Sequence, residues 1–538
     1  MVKKLIILSF VLLALLVGHS VPVTGRAQTD SDPASHFESY ENVEFLGYLQ
    51  GSFGVIEVHG DYAYTGCPGG LCVIDVSDPR RPEQISFTEI PIGISQIVID
   101  GDYLYANQSE YCCDPSRGVI IVNIKDPSDP TIVNSIDLDL TSTSAWVSDL
   151  DIHAHRNLYI SLMHRYGVDR GVSIVDVSDP LQPAEIGFID VRPNEDEAIN
   201  GLSINGDTAT ILHGKEQWYF WIHGLARYEI SNPLKPVNLG RIEPSFEGGK
   251  GGQDITVQGD RAYVVNGDSV PKTPMKTGGL TIYDISNPPE IDFLGGYGEE
   301  SAFYEFEVMG NYAYLSGSSW DWDEYEYTQW MNILSVYDPK EIGVVGYLKK
   351  SKLYGTTNLS QKDGTIYLTD SKHGLYILRY AISETLTLDH GGGLFFEDPI
   401  GMTYFVHAPE VAMIYPTDLY FAPIPGYISS PGYAQVGDVF ELSAYQDGMW
   451  LYGFPFATRI NIEIKYNDEL LDLVTDESQL TLRWWNGAAW VDAAETCTPN
   501  TRYLRDLENS TLWLPVCEIG RFGLFGPTET LFLPVVSK

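Results

Sequence analysis

The chain has 538 residues, 44% of them apolar, and a formal net charge of -40. That length calls for several domains or one large repeat unit, and that apolar share sustains a folded core and argues against disorder. So acidic a surface argues against nucleic acid and anionic membranes as partners; it suits solubility, divalent cations or a basic partner.

In chain order, "MVKKLIILSFVLLALLVGHSVPVTGRAQ" places two lysines before a short apolar run and then small residues. This is the pattern of a secretory signal peptide, assigned to residues 1–27 with cleavage after Ser20 or Ala27. Residues 28–42 are expected to be a flexible segment. No later stretch is apolar enough to span a bilayer, so the mature chain is expected to be secreted or displayed at the cell surface. The six cysteines form local couples. Cys67 and Cys72 flank a "PGG" hairpin tip, Cys112 and Cys113 are adjacent, and Cys497 and Cys517 flank strand-like segments. In an oxidising compartment three local disulfides are the economical pairing, although bridging the adjacent pair would distort its peptide.

Between Val43 and Tyr380 a unit recurs. Its first segment alternates ("GVIEV", "SQIVI", "SDLDI", "NGLSI", "QDITV", "YEFEV", "TNLSQ"). A Gly-Asp or Gly-Asn turn follows, as in "HGDYAY", "DGDYLY" and "MGNYAY", where glycine accepts the positive φ of a tight hairpin. A third strand such as "GLCVIDV" or "GVSIVDV" runs into Ser-Asp-Pro or Ser-Asn-Pro. Proline removes a ladder donor and the residue before it favours a turn, so this is a corner into a fourth strand. Seven third strands are followed by only six outer strands. The missing one matches "VEFLGYL" at 43–49, which predicts that the N-terminal strand closes the last blade of a seven-bladed β-propeller. An open solenoid would leave that mismatch unexplained.

The Ala-Tyr strand, Gly-Leu and apolar-apolar-Asp-Val-Ser-Asp-Pro pattern resembles the LVIVD repeat of bacterial and archaeal secreted proteins. The resemblance covers Val43 to Tyr380, with departures at "HAHRNLY", "NGDTAT" and "NILSVYDP". It implies a propeller outside the cell and carries over no catalytic residues.

After Tyr380 the repeat stops. Short strands at even spacing ("MTYFVHA", "DLYFAPI", "VFELSAY", "INIEIKY", "LTLRWW", "TLWLPV", "RFGLFG") predict a C-terminal β-sandwich over 381–527. Asn486-Gly487 marks a hairpin turn, and a Cys497–Cys517 bridge would clip the last hairpin. Residues 528–538 form a short apolar tail.

Within a blade, the second-to-third-strand loops share one face with the blade-to-blade connections, and the long irregular segments fall there. Variable loops on a rigid scaffold are where binding usually resides. "SSWDWDEYEYTQW" offers Trp320, Trp322, Tyr325, Tyr327 and Trp330 as stacking surfaces, with Asp321 and Asp323 as acceptors; Trp218 and Trp221 offer a second set. The same residues would also serve to pack a loop on its own scaffold. No cofactor is predicted; hard oxygen ligands at Asp321 and Asp323 would suit calcium, but the D-x-D-x-D-G spacing is missing. His153 and His155 are expected to face water in a turn. No nucleophile elbow, phosphate loop, HExxH or dinucleotide fingerprint occurs in a fitting context. The expected function is non-enzymatic binding of a protein or glycan outside the cell. The alternatives are a polysaccharide-acting hydrolase or lyase at the central pocket, and a structural envelope protein.

Overall fold

The computed structural model describes residues 33–529, apart from residues 92, 109–117, 138–144, 154–155, 165–170, 192–196, 218–219, 251, 267–277, 300–301, 322–325, 352–356, 388–390, 411, 414, 427, 429, 431, 448, 452 and 454–455. The repeat forms seven antiparallel sheets, the blades. Blade 1 runs through Ile56–His59, Tyr62–Cys67, Gly70–Asp75 and Glu83–Glu89 in sequence order. Blades 2 to 6 repeat that order, with innermost strands Ile94–Asp100, Ala145–His153, Glu197–Asn205, Gly252–Gln258 and Ala302–Met309. Blade 7 takes three strands from Thr357–Lys362, Thr365–Asp370 and Gly374–Tyr380, and its fourth from Val43–Gln50. Phe45 lies opposite Leu378 and Gly47 opposite Ile377, with a bulge between the two pairs. The innermost strands touch in cyclic order, and that of blade 7 touches that of blade 1, so the array is a closed β-propeller. Closure leaves no inner or outer strand of the ring without a neighbouring blade.

The repeat motif is legible bond by bond. Asp75, Asp176 and Asp284 end third strands, and each accepts from the backbone N–H of the serine two residues on. The residue between them donates its own N–H to the hairpin turn of the same blade, as Val76 does to Asp61 O and Ile285 to Asp260 O. The next Asp or Asn closes the corner. Asp78 Oδ1 accepts from Arg80 N at 3.1 Å, while Arg81 N donates to Asp78 O at 2.9 Å.

The corner then docks on the preceding blade. A Cβ on Gly47, Gly187, Gly240 or Gly295 would stand 2.0, 2.8, 2.4 or 1.9 Å from the carbonyl oxygen of Pro79, Pro233, Pro289 or Pro339 respectively. Each glycine lies in the outer strand of one blade and each proline in the corner of the next. Where the outer strand lacks that glycine, side chains make the contact. Ser86 Oγ donates to Pro127 O, and Asn134 Nδ2 to Leu181 O. Blade 7 has no corner of its own. The outer strand of blade 6 meets the N-terminal segment instead, where Asn42 Nδ2 donates to Val345 O at 2.7 Å.

This revises one expectation. Residues 33–42 are not a flexible leader over that stretch: Pro33–His36 forms a 3-10 turn, and Ser39–Glu41 pairs with Tyr347–Lys349 as a fifth strand of blade 6. Apolar packing follows the same seams. Leu104, Ile120 and Val122 of blade 2 pack with Leu71 and Val73 of blade 1, and Leu375 and Ile377 of blade 7 with Ile74 and Val76 of blade 1.

Beyond Tyr380 two antiparallel sheets pack face to face. One contains Ile382–Leu386, Thr417–Ile424, Tyr433–Gln446, Gly520–Pro527, Thr481–Trp485 and Trp490–Asp492. The other contains Gly392–Glu397, Thr403–Ala408, Ile460–Lys465, Thr511–Val516 and Leu504–Asp506. Phe396 of the second stacks against Phe421 of the first at 4.9 Å. Gly392–Glu397, which is not among the strands read from the sequence, also belongs to this sandwich. The Cys67–Cys72 bridge sits at its expected hairpin tip. Cys497–Cys517 joins the end of the 3-10 turn Ala493–Thr496 to the end of Thr511–Val516 rather than clipping the last hairpin. Cys112 and Cys113 lie outside the described residues.

The sandwich is fastened to the ring seam. Arg379 of blade 7 pairs with Glu44 of the closing strand and, at 3.2 Å, with Glu441 of the sandwich, which also binds Arg521 at 2.9 Å. Burial alone would raise the Glu441 pKa, but the two arginines outweigh it and hold it at about 2.

The corner contacts predict that Gly295→Ala destabilises the protein by about 1–3 kcal/mol, since backbone must move to admit the methyl group. Gly343→Ala, where a Cβ meets nothing within 4 Å, leaves thermal denaturation essentially unchanged. Equal melting temperatures for the two variants would contradict the corner-docking account.

Candidate functional site

The sandwich docks on the face of the ring that carries the hairpin turns and corners, at blades 6, 7 and 1. A Cβ on Gly310, in a turn of blade 6, would touch Pro425; one on Gly364, in a turn of blade 7, would touch Ile424. The Arg80 guanidinium of the first corner lies 3.9 Å from the Trp450 ring centroid. The expected binding residues that the structure describes belong to the opposite face. There two of the segments read from sequence as irregular loops extend strands. Tyr312–Asp321 pairs with Glu326–Ser335, so that Trp320 stands opposite Tyr327 and Asp321 opposite Glu326. Thr208–Gln217 pairs with Phe220–Glu229, so that Trp221 stands opposite Glu216. Trp218, Trp322, Asp323 and Tyr325 lie outside the described residues. The backbone ladder continues through these aromatics because Trp, Tyr and Thr favour strands as much as they favour binding loops.

Trp330 is placed in full. It is half-buried and carries Lys349 Nζ 4.9 Å from its ring centroid. It lines a small solvent-open cleft between blades 6 and 7, together with Phe37, Gln329, Lys350, Asp370 and Tyr376. Lys350 is buried and donates to Asp370 Oδ2 at 3.2 Å and Tyr376 Oη at 3.0 Å. Burial lowers the Lys350 pKa, and the Asp370 carboxylate opposes the shift. His36, from the N-terminal segment, shares the Tyr376 hydroxyl at 3.0 Å, and His373 contacts Asp370 at 2.9 Å. Sequence reasoning missed Lys350, Asp370 and Tyr376 because they converge from separate strands and the register of the ring brings them together.

A second constellation lies on the innermost strands, around the channel. Glu57 of blade 1 interacts electrostatically with Asp151 of blade 3, and raises Glu307 of blade 6. Asp254 of blade 5 raises Asp149 and Asp151 of blade 3 and Glu305 and Glu307 of blade 6. Interactions across the ring mean that these carboxylates converge on its axis. Enclosure first, and like charge second, pushes Glu305 up to about 8; enclosure pushes Glu57 and Asp151 to about 7 and Asp254 to about 6.

Several channel side chains also have a structural task. Asp149 Oδ2 and Asp151 Oδ2 accept from Leu202 N and Ile204 N of the next blade, both at 2.6 Å. Ser203 Oγ accepts from Val257 N, and Ser360 Oγ from Val58 N. The inner edge of each such strand, with no further strand beside it, thereby gains an acceptor for a free N–H. Glu305 and Glu307 make no hydrogen bond among the described residues, which leaves them as the channel's available acids. Among the described residues no three His, Cys, Asp or Glu side chains are grouped as metal ligands.

His153 departs from expectation. It is buried at the end of the blade 3 inner strand, with Nε2 3.3 Å from Asp207 Oδ1, rather than facing water; His155 lies outside the described residues. The sandwich also presents an unforeseen surface. Phe395, Phe405, Glu463, Trp513 and Leu504 form one cross-strand row, and Phe395 and Leu504 are 60% and 69% exposed. The alternation in "LFFE" and "TYFVHA" carried that signal, but only the sheet order aligns the row.

The closed ring of four-stranded sheets defines the class, a β-propeller carrying a C-terminal sandwich. The model of the LVIVD repeat matches residues 50–86, 167–191 and 249–298, so these stretches of the ring carry LVIVD repeats. No curated protein matches the chain. Among solved structures, the N-terminal domain of Nup159 is similar at 10% identity, over 66% of this chain and 98% of that one, with a TM-score of 0.36. Sqt1 from Chaetomium thermophilum is similar at 10% identity, over 62% and 82%, with a TM-score of 0.38. Apo AztD from Citrobacter koseri is similar at 13% identity, over 62% and 87%, with a TM-score of 0.36. The propeller assignment rests on the strand topology and not on these likenesses.

Raised carboxyl pKa values set the sign of a pH dependence. The folded state holds channel protons that the unfolded chain has released between about pH 4 and pH 8, so their contribution to stability falls as pH rises through that window. The melting temperature is therefore expected to be higher near pH 5 than at pH 8, and Glu307→Gln is expected to raise it at pH 8 and flatten the profile. A variant no more stable than the parent at pH 8 would contradict the channel assignment.

Proposed function

We propose that the protein is a non-enzymatic binding protein acting outside the cytoplasm, and that its long-hairpin face receives a glycan or protein partner. The observation that carries this is the cleft at Trp330. It sets an aromatic wall beside a buried Lys350–Asp370 pair, on the face opposite the docked sandwich. Aromatic rings with adjacent polar groups hold sugars and anchor protein interfaces alike. The two disulfides are compatible with an oxidising compartment, and no helix among the described residues is long and apolar enough to cross a membrane.

A second reading, hydrolysis or elimination on a polysaccharide, is favoured by one observation: Glu305 and Glu307 in the channel have raised pKa values and no hydrogen-bond partner among the described residues. An acid that keeps its proton near neutrality suits leaving-group protonation. Against it, Asp149 and Asp151 are engaged in blade seams.

The test is a glycan and protein-ligand screen of the full chain with and without calcium, followed by Trp330→Ala and the pair Trp320→Ala and Trp322→Ala. Binding is expected to weaken about tenfold or more in Trp330→Ala, as for a buried aromatic anchor. Unchanged retention in all three variants would remove this face from consideration. Turnover of a polysaccharide, lost in Glu305→Gln, would move the assignment to the channel.

A further inference from the structure

A third group of polar side chains lies where the sandwich meets blade 6, away from both the cleft and the channel. Asp398 follows the sandwich strand Gly392–Glu397 and is buried, at 3% exposure. Its Oδ1 locks the turn by accepting from Ile400 N and Met402 N, at 3.1 and 2.8 Å, but its Oδ2 is buried without a hydrogen-bond partner. Asp438 sits beside Gly437, at φ +71°, within the interruption between Val436 and Phe440 in the sandwich ladder. Such bulges re-aim a side chain. Asp438 Oδ2 is likewise buried and unpartnered.

Two tyrosines complete the group. Tyr404 is 2% exposed, and a Cβ at Gly437 would stand 3.2 Å from its hydroxyl, so that hydroxyl overlies the bulge that carries Asp438. Burial raises the Asp398 pKa to about 7, and the Tyr404 hydroxyl, which faces Asp398 too loosely to complete a hydrogen bond, opposes that rise only weakly. Tyr312, from blade 6, is 1% exposed and its hydroxyl also lacks a partner; both carboxylates act on it electrostatically. Four polar atoms from two domains therefore converge unsatisfied, and two of them are carboxylate oxygens. Among the described residues neither carboxylate has a salt bridge to Lys, Arg or His. Buried carboxylates are normally paired or coordinate a metal, and buried polar atoms normally find partners.

We propose that this junction holds one hard divalent cation of the calcium class between Asp398 and Asp438. The donors are all oxygen, which selects calcium over zinc. Backbone N–H groups already hold Asp398 Oδ1, which fixes that carboxylate and leaves its Oδ2 for the ion together with Asp438 Oδ2; water completes the shell. The Tyr404 and Tyr312 hydroxyls then lie beside carboxylates that the ion has neutralised. The site would stiffen the part of the sandwich that meets Tyr312 of blade 6, beside the fastening at Arg379.

The full chain, stripped with chelator and titrated with Ca²⁺, is followed by thermal denaturation. Saturating Ca²⁺ is expected to raise the melting temperature by ~3 °C or more, since a ligand bound only by the native state stabilises by mass action. That rise is expected to vanish in Asp398→Asn and in Asp438→Asn. No rise in the parent, or an equal rise in both variants, overturns the proposal; so does an Asp438→Asn chain that gains stability while the parent ignores Ca²⁺, because a proton then does the neutralising. Should the carboxylate variants fail to fold, Tb³⁺ replaces Ca²⁺ and its tyrosine-sensitised emission is read in a Tyr312→Phe/Tyr404→Phe chain, which keeps both carboxylates. A drop of about twofold or more supports the site, and unchanged emission overturns it.

Discussion

The contact between an Asp-Pro corner and the outer strand of the preceding blade is the constraint on which the ring depends. It requires a backbone carbonyl to approach within the space of a missing Cβ, which explains glycine at positions 47, 187, 240 and 295. It also explains the corner's chemistry. The Asp or Asn side chain satisfies corner N–H groups, proline ends the ladder, and the resulting loop presents its carbonyl in a fixed direction. Repeated around a circle, the contact sets the spacing between blades, and the apolar residues of adjacent blades then meet as continuous cores.

Two places in the ring cannot obey this rule, and both are repaired by the N-terminal segment. Blade 7 has no outer strand of its own and borrows Val43–Gln50; blade 6 has no following corner and receives Ser39–Asn42. The seam is therefore held by chain from both ends, and the sandwich adds Glu441, Ser443 and Tyr445 against it. That fastening places the sandwich on the turn-and-corner face, away from the long hairpins. The same geometry gathers acids at the axis. Polar residues there cap the free N–H groups of neighbouring strands, and enclosure raises the pKa of capping and non-capping acids alike.

Much of this was legible in the sequence. The repeat, the missing outer strand and the hairpin turns all depend on near-neighbour chemistry: positive φ at Gly60 and Gly101, proline after Asp78, alternation in "GVIEV". The candidate site was legible only in part. Trp330 was singled out by composition, but its neighbours Lys350, Asp370 and Tyr376 sit in three other strands and carry no common signal along the chain. His153 was misjudged because its turn position suggested exposure, whereas the next blade supplies Asp207 and covers it.

The sequence by itself determined that the chain alternates, turns and corners at a fixed period, and that one strand had to travel from the start of the chain to the end of the ring. Those properties follow from backbone sterics and local hydrogen bonding, which act over a few residues. Only the tertiary structure decided which side chains meet. Lys350 with Asp370 in the cleft and Glu307 with Glu57 across the channel are set by ring closure, and Asp398 with Asp438 by how the two sheets of the sandwich pack. Charge, burial and pairing depend on distance in space, and residues far apart in the chain acquire them only when the blades close.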